Sequence, residues 1–192
     1  MRRHPESVTG TFANRMVHWE SNQAIIGPHI IDARGNVRTF NELAQIRLTA
    51  TMKHLSHPDS PVYFLSMEGP FYEANVYTLE VEQLFNLTEV LDIPEDAQPH
   101  FKGGYTGHGR VVVANNTYDE AEFQGKRQAG VLAEWDGEAW TVIERNPYVE
   151  VNGQPNYGHP IFATGWDRAS AILKVFTGDK WLTYRLPKAS HA

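Results

Sequence analysis

The apolar positions of this chain recur in short alternating runs, and two of those runs align with each other without a gap. One is Leu132-Ala-Glu-Trp135-Asp-Gly137-Glu-Ala-Trp140-Thr-Val-Ile143, the other Leu173-Lys-Val-Phe176-Thr-Gly178-Asp-Lys-Trp181-Leu-Thr-Tyr184. Leu132 and Leu173, Trp135 and Phe176, Gly137 and Gly178, and Trp140 and Trp181 each stand 41 residues apart. Each run predicts a strand, a tight turn and a second strand. Alternation with period two puts one set of side chains on one face of a pleated strand. Asp136-Gly137 and Gly178-Asp179 supply the positive φ that primed hairpin turns need.

A further strand precedes each hairpin, at 111–116 and at 161–166. These two lie 50 residues apart rather than 41, and the connection accounts for the excess of nine: 117–130 is a long loop, 167–171 a short one. Extended stretches around 100–105 and 148–151 complete four strands per unit. The same pattern recurs more faintly upstream, with strands at 46–52, 62–67, 71–76 and 80–85 and a turn at Tyr77-Thr78-Leu79. A helix over 41–55 competes with the first of these, because Leu48, Met52 and Leu55 also share a helical face. The N-terminal unit contains an extended 24–27 and a hairpin turning at Asp32-Ala-Arg-Gly35-Asn36. The units so defined span 10–42, 43–93, 94–147 and 148–190.

Four-stranded units of this length are the size of β-propeller blades. A lone antiparallel sheet cannot bury both faces, so neighbouring units are expected to stack. The expected fold is therefore an all-β propeller of about four four-stranded blades in one repeat domain, 1–192, with an incomplete ring as its alternative form. A sandwich or barrel also has many short strands, but does not require the Trp–Gly–Trp spacing to recur.

Composition sharpens this picture. Five Trp, eight Tyr and nine Phe favour pleated surfaces, and fifteen Gly and eleven Pro punctuate turns. A net charge of −6 opposes binding to phosphate backbones, so no nucleic-acid partner is expected. The absence of Cys removes disulfides, thiolate metal sites and a Cys nucleophile. The first twenty residues hold no signal-peptide apolar stretch, and the longest apolar runs, such as 111–114, are too short to span a membrane. A cytoplasmic location without membrane association is the expectation.

The segments FKGGYTGHGRVVVANNTYDEAEF (101–123), GVLAEWDGEAWTVIERNPYVEVNG (130–153) and FATGWDRASAILKVF (162–176) resemble stretches of longer bacterial β-propeller repeat proteins, a family without an assigned activity. The resemblance implies the fold and no function. It also implies that the chain is either a piece of a larger ring or completes one by self-association through open blade ends.

In propellers the loop between the second and third strands opens on the face that carries the links between blades, and sites gather there. By this analogy the candidate positions are Glu68 in 67–70, the 117–130 loop, and Trp166, Asp167 and Arg168. The 117–130 loop offers Tyr118, Asp119, Glu120, Glu122 and Arg127, with Asn115 and Asn116 before it. A solvated surface loop explains the same residues. An aromatic ring beside a carboxylate and a guanidinium suits a sugar, and inter-blade packing of Trp166 is the plainer account. Two carboxylates among Glu68, Asp119, Glu122 and Asp167 can serve glycoside hydrolysis, and His108 is a weak candidate base in a Gly-rich turn that lacks a phosphate-loop ending. His54 and His57 match no metal signature. The sequence shows no cofactor motif. Three functions compete: a carbohydrate-binding or scaffold module, a glycan-acting hydrolase or lyase, and a protein-interaction platform.

Overall fold

A computed structural model describes residues 17–19, 23–53, 61–94, 99–105, 110–115, 130–145, 148–152, 161–167, 170–177 and 180–187. These residues form four antiparallel sheets, each of four strands in sequential order. The first sheet holds β1 (Val17–Trp19), β2 (Gln23–Ile26), β3 (His29–Asp32) and β4 (Val37–Thr39). The second holds β5 (Leu48–Lys53), β6 (Val62–Ser66), β7 (Pro70–Ala74) and β8 (Val81–Asn86). The third holds β9 (Phe101–Tyr105), β10 (Val111–Asn115), β11 (Val131–Trp135) and β12 (Trp140–Arg145). The fourth holds β13 (Tyr148–Asn152), β14 (Ile161–Asp167), β15 (Ser170–Phe176) and β16 (Trp181–Pro187).

The strands follow the alternation of the sequence closely, and the helix over 41–55 does not form. Asn41–Leu43 makes a single 3-10 turn, after which the chain enters β5 and pairs with β6. Pairing satisfies the backbone and buries Leu48, Ala50 and Met52, which outweighs a helical preference that is only slight in this stretch. One short helix, α1 (Leu87–Val90), lies outside the expected pattern. Its signal is Asn86-Leu-Thr-Glu89: the Asn86 side chain accepts from the Thr88 N–H at 3.3 Å and donates to Glu89 Oε1 at 2.9 Å. That exchange caps the helix start.

The sheets stack face to face. Between the first and second sheets lie Ile25, Ile30, Phe40, Val62, Phe64 and Ala74, all fully buried or nearly so. On β6 the alternate residues turn the other way: Leu65, beside Tyr63, joins Phe71, Phe101, Val113 and Trp135 between the second and third sheets. Between the third and fourth, Val112, Ala114 and Leu132 meet Trp181. The run 111–114 is thus buried throughout because each face of β10 is covered by a different sheet, as expected of a strand that reads as continuously apolar. The first strands lie in series, β1 against β5, β5 against β9 and β9 against β13. Gly103 on β9 allows the close approach, since a Cβ there would come within 2.8 Å of Leu65 Cδ2. Among the described strands none of the fourth sheet pairs with the first, so no sheet closes into a ring.

The expected hairpin at 136–137 is present with its centre one residue later. Asp136 N–H donates to Ala139 O, Gly137 takes φ +104°, and Asp136 Oδ1 accepts from the Glu138 and Ala139 N–H groups at 2.9 and 2.8 Å. Those bonds hold the Asp136 carboxyl below its ordinary pKa. Gly178-Asp179 lies outside the described residues. Among the described residues no helix is long and apolar enough to cross a membrane.

Candidate functional site

The loop that joins β6 to β7 is held in place by its backbone. Met67 N–H donates to Arg47 O at 2.8 Å, Phe101 N–H to Met67 O at 2.9 Å, and Leu87 N–H to Gly69 O at 3.0 Å. Gly69 has φ +117°, where an added Cβ would crowd Thr88, Asn86 and Phe101 at 3.0–3.2 Å. The turn therefore needs glycine both for its backbone and for room. Its consequence is that Glu68, exposed and bonded through its N–H to Ser66 Oγ at 3.3 Å, projects from a fixed base.

The same place receives the start of β9. His100 N–H donates to Asn115 Oδ1 at 2.9 Å, and Asn115 is 1% exposed. Register then runs across the end of the third sheet, from Phe101 to Asn115 to Val131 to Arg145. Arg145 reaches back across the joint and donates through Nη1 to Leu91 O, just after α1, at 3.1 Å. One end of the second and third sheets thus carries Glu68, His100, Asn115 and Arg145, with Glu68 beside β9 and Arg145 on β12, at the opposite edge of the third sheet. β10 ends here at Asn115, in register with Val131, where β11 begins. Tyr72 on β7 has its pKa raised, by burial first and by the Glu68 charge second.

The arrangement offers a carboxylate and a guanidinium on rigid supports, an arrangement suited to hydrogen-bonding a polar ligand. Of the residues named from sequence, Glu68 and Asn115 fall here. Asn115 acts through its buried amide as a clamp on β9, so it shapes the site rather than facing it. Trp166 and Asp167 occupy the end of β14, where Trp166 pairs with Tyr148 and Asp167 with Ser170 in the backbone register; their side chains are outside the described part. His54, His57, His108, Asn116, Tyr118, Asp119, Glu120, Glu122, Arg127 and Arg168 also lie outside the described residues. Arg145 and His100 were visible in the sequence only as a linker residue and one of nine histidines. Their meeting depends on pairing across sheets, which no local pattern encodes. Among the described residues no group of three His, Asp or Glu is placed to hold a metal ion. No protein-family model matches the chain, and no curated protein matches it.

Proposed function

We propose that the chain is a ligand-binding module built as a β-propeller-type array, taking a carbohydrate or other small polar ligand on the linking end of its second and third sheets. The propeller reading is supported by the serial order of the first strands and by the face-to-face stacking of sequential four-stranded sheets. The ligand reading rests on one observation: Glu68 and Arg145 stand at the same end of neighbouring sheets, Glu68 on a turn fixed by the Met67 and Gly69 backbone and Arg145 at the end of β12 in register with Val131. Hydroxyl-rich ligands are recognised by donors and acceptors held on a scaffold that does not need to reorganise.

The test is a screen of the chain against a panel of neutral and acidic oligosaccharides, followed by calorimetry on the hits. Glu68→Gln and Arg145→Gln are expected to weaken a hit by about tenfold or more, in line with roughly 1.5–3 kcal/mol for a hydrogen bond to a charged group. Melting temperature should stay close to that of the parent chain. Hits whose affinity ignores both substitutions, or a panel with no hit at all, would remove the proposal.

A further inference from the structure

The four sheets form three internal joints, and the joints obey one rule. The paired residues nearest the hairpin turn between the third and fourth strands face the preceding sheet. In the second sheet these are Ala74 and Val81, which pack toward the first. In the third they are Trp135 and Trp140, which pack toward the second. In the fourth, Trp181 packs toward the third. The first sheet has the equivalent pair, Ile31 and Val37, and among the described residues no sheet packs on that side of it. Ala24, Ile26 and Ile31 are partly exposed on that face and Val37 is 53% exposed. At the other end, the fourth sheet turns Leu173, Val175, Leu182 and Tyr184 away from the third; the first three are partly exposed and Tyr184 is 49% exposed.

These open faces are the two unlike halves of the joint that the chain already makes three times. The match extends to single positions. In the joint between the third and fourth sheets, Lys174 forms an ion pair with Glu144 and donates to Thr183 Oγ1 at 3.0 Å. In the first sheet the position of Lys174, on the third strand two residues before the pair nearest the turn, is held by His29, whose Nδ1 lies 3.0 Å from Thr39 Oγ1. In the fourth sheet the position of Glu144, opposite Leu132 in register, is held by Tyr184, opposite Leu173. The acceptor Glu134, which takes the Trp181 N–H, becomes Val175, and Trp181 becomes Val37. Polar partners are thus replaced at both ends together, which leaves an apolar joint with one neutral polar pair.

We infer that copies of this chain associate head to tail, the open face of the fourth sheet of one copy receiving the open face of the first sheet of the next, with Tyr184 set against His29. Such a joint is heterologous, and two copies close it into a ring that satisfies both ends of each. The inference rests on the stacking of the sheets and is independent of the ligand reading.

Light scattering on a sizing column tests it, at about 100 μM chain, where even a micromolar joint is nearly saturated. A mass of twice the 21.8 kDa chain or more is expected; a monomer overturns the inference. Val37→Glu blocks one face and Tyr184→Lys the other, so each variant alone should be monomeric. An equal mixture should return a dimer through its one intact joint. If either variant alone still associates, the joint is not head to tail. The double variant His29→Lys with Tyr184→Glu copies the internal ion pair and should associate again. Because the chain has no cysteine, His29→Cys and Tyr184→Cys give a check on chains of parental melting temperature: cross-linking in the mixture supports the joint, and cross-linking of either variant alone overturns it.

Discussion

The joint between the second and third sheets and the joint between the third and fourth use equivalent positions and opposite chemistry. In the former, Tyr63, Phe71, Phe85, Trp135 and Trp140 form one aromatic cluster. Phe71 meets Trp135 and Trp140 edge to face at 5.6 and 5.9 Å, while the two indoles stack at 6.2 Å. The Nε1–H groups of both indoles are buried and without a hydrogen-bond partner. In the latter, Trp181, the repeat equivalent of Trp140, donates its Nε1–H to Glu134 at 3.2 Å. Glu134 also pairs with Arg110 at 2.7 Å, and Lys174, 7% exposed in its side chain, pairs with Glu144. The repeat therefore decides where a tryptophan sits, and the neighbouring sheet decides whether its N–H is satisfied. Rings fill the joint between the second and third sheets, where each edge-to-face pair adds about 0.5–1.5 kcal/mol beyond its area. Small side chains (Val112, Ala114) leave the other joint to be held by charge.

This contrast can be broken from either side. The largest effect is expected for Phe71→Ala, which removes the ring that touches Tyr63, Phe85 and both indoles. Denaturant unfolding should show a loss of about 3–5 kcal/mol. A loss below 1 kcal/mol by the same measure would mean that the cluster does not hold the joint together.

Next comes Glu144→Ala, which leaves the buried Lys174 ammonium without its carboxylate. Breaking a buried pair costs about 3–5 kcal/mol, and the 26% exposure of Glu144 places this one toward the lower end. Replacing both partners, as Lys174→Met with Glu144→Leu, should cost far less than Glu144→Ala alone. Equal losses in the two variants would show that the ion pair is a surface feature of little weight.

The smallest effect is a titration in the aromatic joint. Tyr63 has its pKa raised to about 12, by burial first and then by the charge of Glu73 and a hydrogen bond to it. The folded state thus holds this proton more tightly than the unfolded chain, whose value is near 10. The stabilisation is complete below pH 10 and is lost as pH rises toward 12. Tyr63→Phe should flatten the fall in stability between pH 10 and 12 without abolishing it, measured by urea unfolding at each pH. Parallel curves for the two proteins would remove Tyr63 from the account.

Much of the architecture was legible in the residues. Alternating apolar positions marked the strands, and the 41-residue spacing of Leu, Trp and Gly marked equivalent hairpins. The helical alternative over 41–55 could not be dismissed from the pattern, because both periods fit Leu48 and Met52; pairing with β6 chose between them. Of the candidate positions, Glu68 was legible as part of a loop between second and third strands, and the structure places it between β6 and β7. Asn115 was named for a ligand, while its buried amide accepts from the His100 N–H, a bond that arises only when β9 and β10 pair. Arg145 became part of the site because its guanidinium crosses a joint between units, 54 residues from its partner Leu91.

What the sequence by itself determined is the local grammar: period-two alternation, turns where Gly and Asp permit them, and a unit that repeats. These follow from short-range sterics and from which side chains avoid water. Tertiary structure alone decided which face of each strand meets which neighbour, which indole N–H finds an acceptor, and which apolar residues of the first and fourth sheets, such as Val37 and Tyr184, are left exposed. Those outcomes depend on contacts between residues tens of positions apart, whose energies are set by the partner sheet rather than by the strand itself.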